Sequence, residues 1–366
     1  IHTENIFPII KKWLYSDHEI FLRELVSNGF DAITKLNKIS VQEEIKNSEA
    51  PLINLKIDEK KKTLTFSDTG LGMTADEVEK YITQIAFSSA EEFVNKFKEN
   101  EDKTDIIGHF GLGFYSAFMV ADLVEIESKS YQKDTPAILW SCDGSTKYSI
   151  KESKKKTVGT DIILHISDEN KEVLNENRIT ELVKKYTNFL PVEIQVNGKK
   201  QNDDNPLWAT APSETKEEDY KEFYKKLFPY NQEPLFWIHL NVDYPFNLKG
   251  ILYFPKVMHE LDATKGQVKL FCKQVFVSDN ANNVIPEFLT LLQGAIDCPE
   301  IPLNVSRSYL QNDPYVQKIS KHIIKKVADK LNELFKKDKN RFETIWNDIS
   351  PFIKYGMMQN DDFYKK

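Results

Sequence analysis

The 366-residue sequence is short of cysteine and has no long apolar segment. Its three cysteines, Cys142, Cys272 and Cys298, form no Cys-x-x-Cys motif and cannot all pair. This excludes a disulfide-rich framework and favours a reducing, cytoplasmic compartment. No apolar run approaches the ~20 residues of a membrane-spanning helix, so no membrane contact is predicted. Because the sequence opens Ile1-His2-Thr3 without methionine, a removed targeting peptide stays an open alternative.

Several signatures of catalysis and binding are also missing. No Gly-Lys-[Ser/Thr] motif is present, which excludes a P-loop. The seven histidines form no His-Glu-x-x-His pair, and there is no Gly-x-Ser-x-Gly nucleophile elbow. A net charge of −7 disfavours nucleic acid as the main partner.

The order of predicted elements indicates two domains. The polar stretch 198–205 is the best linker candidate, and it predicts a first domain at 1–199, a linker at 200–204 and a second domain at 205–366. In the first domain we predict helices at 4–16, from about 17 to 39, 74–87, 115–120 and 177–189, and strands at 53–57, 64–66, 123–130, 137–142, 147–150, 160–166 and 192–196. Consecutive strands with grouped helices predict an α+β fold with a mostly antiparallel sheet. For the second domain we predict strands at 236–242, 250–255 and 268–277, a helix at 286–296 and a long helix containing residues 319–334.

The stretch 21–33 reads as an amphipathic helix with an unusual polar face. Leu22, Leu25, Val26, Gly29 and Ile33 fall on one side at 3.6 residues per turn, whereas Glu24, Asn28 and Asp31 fall on the other. A solvated polar face is the simpler interpretation. Asn is nevertheless a poor residue for the middle of a helix, and two glycine-rich elements follow downstream. Two acids and an amide oxygen beside such loops would suit a nucleotide–magnesium site.

The two glycine elements differ in what they predict. Asp68-Thr-Gly-Leu-Gly72 follows a strand, where the backbone can approach a ligand and the acid can accept a hydrogen bond from an amine such as that of adenine. Gly108-His-Phe-Gly-Leu-Gly113 precedes a helix, where amides favour phosphate. A tight turn also explains each alone. The charged segment 88–105 lies between them and predicts a lid over about 88–113, with an ordinary surface insertion as the alternative.

Taken together, six motifs resemble those of the ninety-kilodalton heat-shock chaperones of the bacterial type, over essentially the whole chain. They are Glu24-Leu-Val-Ser-Asn28-Gly-Phe-Asp31-Ala, Asp68-Thr-Gly-Leu-Gly-Met-Thr74, Gly108-His-Phe-Gly-Leu-Gly-Phe-Tyr-Ser116, Gly159-Thr-Asp-Ile162, Asn205-Pro-Leu-Trp208 and Leu303-Asn-Val-Ser-Arg307. The resemblance implies an ATPase of the gyrase, chaperone, histidine kinase and MutL superfamily. It further implies an N-terminal α/β sandwich that binds ATP and an incomplete middle domain, without the C-terminal dimerisation domain.

The resemblance also implies roles for individual residues. Glu24 would activate the attacking water, Asn28 would ligate magnesium, and Asp68 would read the adenine amine with the help of Thr160. The remaining implied ATP-binding residues are Asp31, Lys35, Gly72, Met73, Gly111, Gly113, Phe114 and Arg307, the last reaching the γ-phosphate from a loop that also carries Asn304 and Gln311. The sequence departs from the family pattern at Gly29-Phe30, Tyr81, Phe87 and Lys273-Gln274.

By this resemblance the first hypothesis is an ATP-driven chaperone that clamps client proteins, with ATP and magnesium as ligands and a homodimer in the full-length protein. A DNA-acting ATPase of the same superfamily is the second hypothesis. It is disfavoured by the acidic chain and by Arg307, where such relatives are expected to use a lysine. A nucleotide-binding module without turnover is the third.

Overall fold

The computed structural model describes residues 18–42, 50–83, 106–108, 112–145, 147–256, 267–279, 281, 284–303 and 313–366. The chain divides into two compact units, Ile1–Asp204 and Asn205–Lys366. The segment 200–204, predicted as a linker, is held by the first unit. Asn202 is buried there, and its side chain accepts the Ile194 N–H at 2.8 Å and donates to the Val192 carbonyl at 2.9 Å.

The first unit is built on one eight-stranded sheet. Its strands are β1 (Leu52–Asp58), β2 (Thr63–Asp68), β3 (Ala121–Lys129), β4 (Ala137–Cys142), β5 (Tyr148–Ser153), β6 (Gly159–Ile166), β7 (Glu193–Val196) and β8 (Lys199–Lys200). They lie in the order β5-β4-β3-β6-β2-β1-β7-β8. The β1–β7 pair is parallel and the other pairs are antiparallel, which confirms the predicted mostly antiparallel sheet.

The helices of the first unit differ from the predicted ones mainly at their ends. They are α1 (Ile20–Gln42), α2 (Ala75–Val78), which continues as a π-helical turn (Glu79–Thr83), 3-10 helices at Gly113–Met119 and Asp168–Leu174, and α3 (Glu176–Tyr186). Helix α1 ends at Gln42, three residues beyond the predicted end at residue 39. A capping box starts α2, because Thr74 Oγ1 accepts the Glu77 N–H at 3.3 Å and Glu77 Oε2 accepts the Thr74 N–H at 2.8 Å.

Helix α1 packs its apolar side on the sheet. Leu22, Leu25 and Val26 are at most 2% exposed, and Phe21 meets Phe66 of β2 edge-on with ring centroids 6.1 Å apart. Burial of each such side chain contributes roughly 1.5–3 kcal/mol. This packing fixes which side of α1 faces away from the sheet, and therefore where its polar residues lie.

The second unit has a five-stranded sheet in the order β12-β11-β13-β10-β9. Its strands are β9 (Phe236–Val242), β10 (Leu248–Phe254), β11 (Val268–Cys272), β12 (Val275–Ser278) and β13 (Gln293–Asp297). Its helices are 3-10 helices at Leu207–Ala209, Pro212–Glu214 and Glu287–Leu289, and α4 (Glu217–Leu227), α5 (Pro314–Lys337), α6 (Lys339–Gln359) and α7 (Asp361–Lys365). Ile319, Ile323 and Val327 of α5 are fully buried in the core of this unit.

Two predictions for the second unit are wrong. The strand predicted at 268–277 is a hairpin, because Lys273 and Gln274 turn the chain with φ of 52° and 64°. The helix predicted at 286–296 is a short 3-10 helix followed by β13, the central strand of the sheet. A strand covered on both faces has a continuous apolar sequence, which periodicity does not distinguish from a buried helix.

Within the described part of the chain, no helix is both long and apolar enough to cross a membrane. None of the three cysteines is in a disulfide. The helix predicted at 4–16 and the lid segment 88–105 lie outside the described residues.

Candidate functional site

The polar face of α1 is buried rather than solvated. Glu24 is 3% exposed, Asp31 5% and Lys35 8%. The residues that cover this face belong to the second glycine element and to the 3-10 helix that follows it. Because burying charged groups is costly unless they are paired, this arrangement argues against the solvated-face interpretation.

Glu24 lies between a buried cation and a glycine. Its Oε1 accepts a hydrogen bond from Arg23 Nε at 3.1 Å, and both side chains are almost fully buried. A Cβ placed on Gly113 would come within 2.6 Å of Glu24 Oε2. A side chain at position 113 would therefore require the Glu24 carboxylate to move. Arg23 was missed by the sequence reasoning, and its position beside Glu24 is the signal that could have found it.

Asp31 uses both carboxylate oxygens to hold the start of the second glycine element. The Ile107 N–H donates to Oδ1 and the Gly108 N–H donates to Oδ2, each at 2.7 Å. One turn along α1, burial lowers the pKa of the Lys35 ammonium, whereas the Asp31 charge raises it. Asp31 therefore acts first as a structural anchor for residues 107 and 108, whatever ligand the site takes.

Asn28 lies on the same side of α1, next to this anchor. It is half-buried, and its Oδ1 is 3.6 Å from the point where a Cβ on Gly108 would lie. An amide oxygen is a hard ligand of the kind that magnesium prefers. Within the described residues there is no cluster of three or more His, Cys, Asp or Glu side chains suited to a metal. A single amide oxygen would suit a magnesium ion that is held by few protein ligands.

Asp68 ends β2, the strand on which α1 packs, and a Cβ on Gly29 of α1 would lie 3.3 Å from Asp68 Cβ. Its Oδ1 accepts the Gly70 N–H at 2.8 Å. Burial raises the pKa of the Asp68 carboxyl to about 7, and the nearby Asp161 charge adds to the rise. A carboxyl that titrates near neutrality at the end of a strand is a candidate for ligand recognition.

The sheet places Thr160 opposite Asp68, and Ser128 links Thr160 to Met73. Thr160 is the β6 residue opposite Asp68, and its Oγ1 lies 2.9 Å from Ser128 Oγ of β3. Ser128 Oγ also accepts the Met73 N–H at 2.8 Å. The buried Ser128 therefore joins the first glycine element to β6. No motif marks Ser128 in the sequence, so pattern reasoning could not find it.

Gly72 of the first element and Gly159 of β6 are required by close backbone contacts. Gly72 has φ of 63°, and a Cβ there would lie 2.0 Å from the Lys129 carbonyl oxygen. A Cβ on Gly159 would lie 2.1 Å from the Asp68 carbonyl oxygen. The tight-turn interpretation is thus correct for Gly72, whose turn lies against Lys129 of β3.

Phe114 serves the core rather than the polar face. It is 7% exposed and packs edge-on against Trp140 with centroids 5.8 Å apart. The next residue, Tyr115, donates its hydroxyl to the Ile82 carbonyl at 2.7 Å, which ties the 3-10 helix to the π-helical turn. Any contact of Phe114 with phosphate would therefore come from its backbone.

Several predicted residues fall outside the described part of the chain. They are Gly111, Asn304, Arg307 and Gln311, together with Phe87 among the departures. Their roles stay predictions. Tyr81 is described, and Lys80 Nζ lies 5.1 Å from the centroid of its ring.

Comparison with known families divides the chain in two. Residues 15–180 match the family described as histidine kinase-, DNA gyrase B- and HSP90-like ATPase, and residues 196–366 match the Hsp90 protein family. The two matches correspond closely to the two structural units.

Curated relatives match the chain along its whole length. It is 55% identical to the chaperone protein HtpG of Bacteroides thetaiotaomicron and 52% identical to that of Porphyromonas gingivalis W83, in each case over 100% of this chain and 56% of the relative. It is 35% identical to the mitochondrial TNF receptor-associated protein 1 homolog of Dictyostelium discoideum, over 97% of this chain and 51% of the relative. The chain thus spans little more than half the length of the curated relatives it matches.

Proposed function

The chain belongs to the Hsp90 family, and we propose that it binds and hydrolyses ATP to drive a chaperone cycle on client proteins. The observation that carries this proposal is the buried polar face of α1. There two carboxylates and an amide oxygen, those of Glu24, Asp31 and Asn28, lie beside Gly108 and Gly113 of the second glycine element.

In this proposal the adenine lies at the first glycine element. The Asp68 carboxylate accepts a hydrogen bond from the exocyclic amine. Thr160, which is held by its contact with Ser128, assists Asp68, and Gly72 and Met73 border the base. A carboxylate selects adenine over guanine because guanine presents a carbonyl oxygen at the corresponding position, which cannot donate.

The phosphates lie beside α1, near Gly108 and Gly113 of the second glycine element. Asn28 holds magnesium, which supplies charge neutralisation for the phosphates. Glu24 orients the attacking water and accepts its proton, while Arg23 keeps the Glu24 carboxylate in a fixed position. Asp31 keeps the Gly108 amide in place, and Lys35 adds positive charge on the same face.

We further propose a cytoplasmic location and, for the full-length protein, a homodimer formed through residues outside this chain. The descriptions of the HtpG relatives as chaperone proteins support client binding. A DNA-acting ATPase is the less favoured alternative, because the relatives carry the chaperone description and the chain has a net charge of −7.

The test separates binding from turnover. We expect Glu24→Gln to bind magnesium–ATP within about threefold of the parent chain, since a water-orienting carboxylate stabilises the transition state more than the ground state. Turnover should fall about 10²–10⁴-fold. Calorimetry and single-turnover hydrolysis measure the two quantities, with the exposed Glu222→Gln of α4 as the control. Unchanged hydrolysis in Glu24→Gln would show that Glu24 is only a buried structural acid.

Chaperone action needs its own measurement. The protein extended to the length of its relatives should suppress aggregation of an unfolded model client in an ATP-dependent manner. Glu24→Gln should abolish the ATP dependence but keep client binding. A preference for duplex DNA over unfolded protein would instead favour the second hypothesis.

A further inference from the structure

Two cysteines of the second unit lie opposite each other at the ends of neighbouring strands. β11 ends at Cys272, and Cys298 directly follows the last residue of β13. The two strands are parallel, with Phe271 opposite Asp297. The Cys298 N–H donates to the Phe271 carbonyl at 3.0 Å, which continues this pairing by one residue. In a parallel ladder this bond places Cys298 directly opposite Cys272, with both side chains on the same face of the sheet.

This placement is compatible with a covalent bond between the two sulfur atoms. Neighbouring strands lie about 4.8 Å apart, and the Cα atoms of disulfide-bonded cysteines are usually about 4.4–6.8 Å apart. The Cβ atoms need to approach by less than about 1 Å. Because both cysteines lie where the strands end and Lys273 begins a turn, the backbone can make this adjustment without breaking the central ladder.

The two thiols differ in their surroundings. Cys272 is half-buried, and its Sγ lies 3.6 Å from the Pro299 carbonyl oxygen. Cys298 is fully buried, with its Sγ 3.8 Å from the Tyr315 hydroxyl at the start of α5. Burial raises the pKa of the Cys298 thiol to about 12. An oxidant therefore reaches Cys272 first, and Cys298 is a protonated thiol behind it.

We propose that Cys272 and Cys298 form a vicinal dithiol, a modification site that a peroxide converts to an intrachain disulfide. The Cys272 thiolate attacks one peroxide oxygen, breaks the O–O bond and becomes a sulfenic acid, and the released hydroxide takes up the proton that the Cys272 thiol lost and leaves as water. The Cys298 sulfur then attacks the Cys272 sulfur and expels the hydroxyl group, which leaves as water with the Cys298 proton. The sum is two thiols and one hydrogen peroxide giving one disulfide and two waters.

A metal is a poorer occupant of this site. Structural zinc normally takes four ligands, and no cluster of three or more His, Cys, Asp or Glu side chains suited to a metal exists within the described ranges. The proposal does not depend on nucleotide binding, because all its residues belong to the second unit and none is assigned to the ATP site.

The experiment counts thiols before and after brief treatment of the whole folded chain with hydrogen peroxide. Titration in denaturant should fall from three thiols to one in the parent chain, and from two to none in Cys142→Ala. Digestion without reductant should yield a peptide pair joining Cys272 to Cys298 that is lighter by two hydrogen atoms. Cys272→Ala, at the half-buried position, should keep both of its thiols after the same treatment.

A second probe does not require oxidation. Phenylarsine oxide bridges two neighbouring thiols, so it should block two thiols in the parent chain and in Cys142→Ala. In Cys272→Ala it can bind only one thiol, and an added monothiol should remove it. Loss of thiols through disulfides between chains only, or equal loss in Cys272→Ala and the parent, would overturn the proposal. So would a fully folded parent chain in which Cys272 is oxidised while Cys298 stays a thiol.

Discussion

The Gly108 N–H donates to Asp31 Oδ2 at 2.7 Å, across 77 positions of sequence. Together with the Ile107 N–H on Oδ1 at 2.7 Å, this contact joins the central helix to the second glycine element. The same helix presents Glu24 and Asn28 on that side. The geometry of the proposed phosphate site therefore depends on a carboxylate that need not touch the phosphates.

We expect Asp31→Asn to destabilise the first unit and to weaken ATP binding together. An amide offers one acceptor oxygen and turns a donor toward the second N–H, which leaves a buried group unsatisfied at a cost of ~1–3 kcal/mol. Urea denaturation and calorimetry measure the two effects. Asp122→Asn, at an exposed position of β3, is the matched control. If Asp31→Asn weakened ATP binding with no loss of stability, the anchoring role would be wrong and a direct ligand contact would be favoured.

We expect adenosine affinity to fall as the pH is lowered from 8 to 6. In the free chain the pKa of Asp68 is about 7, and the amine hydrogen bond requires the ionised carboxylate, so binding lowers this pKa and releases protons. The affinity is therefore highest above pH 7 and is lost below it, by about tenfold at pH 6. Adenosine avoids the ionisation of phosphate groups.

Calorimetry in buffers of different ionisation enthalpy counts the protons released. Asp68→Asn should bind adenosine weakly with a flat pH profile, and Asp122→Asn should behave like the parent chain. A flat profile in the parent chain would contradict the assignment of Asp68 to the adenine amine.

Sequence patterns predicted the elements that have one exposed face. The alternation at 236–242 gave a strand with the observed bounds Phe236–Val242, because one side of β9 is less buried than the other. Strand β13 was not predicted, because four of its five residues are buried and its sequence therefore lacks the period-2 alternation of apolar and polar residues. The hairpin at Lys273 was not predicted, because neither Lys273 nor Gln274 is glycine, although both have positive φ.

Sequence motifs predicted which residues belong to the candidate site, but not the contacts that these residues make. The spacing of Glu24, Asn28 and Asp31 indicated one face of a helix, but not that this face is buried. Burial depends on the Ile107 and Gly108 contacts, which are separated from Asp31 by more than seventy residues. The contact of Ser128 with Thr160 depends on the pairing of β3 with β6, which no local sequence pattern encodes.

We expect Asn28→Ala to weaken ATP binding only when magnesium is present. Its Oδ1 is the proposed metal ligand, whereas the nucleotide base is held elsewhere. Affinities measured with magnesium and with a chelator should differ in the parent chain and should converge in Asn28→Ala. Asn37→Ala, two and a half turns along α1 and exposed, controls for the loss of an Asn from this helix. An equal loss with and without magnesium would show that Asn28 supports the site by packing alone.

We expect Gly113→Ala to slow ATP hydrolysis through Glu24. A Cβ at 113 would lie 2.6 Å from Glu24 Oε2, and the carboxylate is held by Arg23 in a buried position, so it must move away from its place. Displacement of a catalytic group by about 1 Å can cost about 10²-fold in rate. Single-turnover hydrolysis measures the effect, and calorimetry should show a smaller change in ATP affinity.

A double-mutant cycle decides whether the effect of Gly113→Ala passes through Glu24. If it does, Gly113→Ala should have little further effect on the rate in the Glu24→Gln background, because the group it displaces is already inactive. Circular dichroism and urea denaturation of all four chains check that the fold is kept. Additive losses in rate would mean that the backbone at 113 contributes separately, for example by contacting phosphate. The slower hydrolysis in Gly113→Ala would then not come from displacement of Glu24.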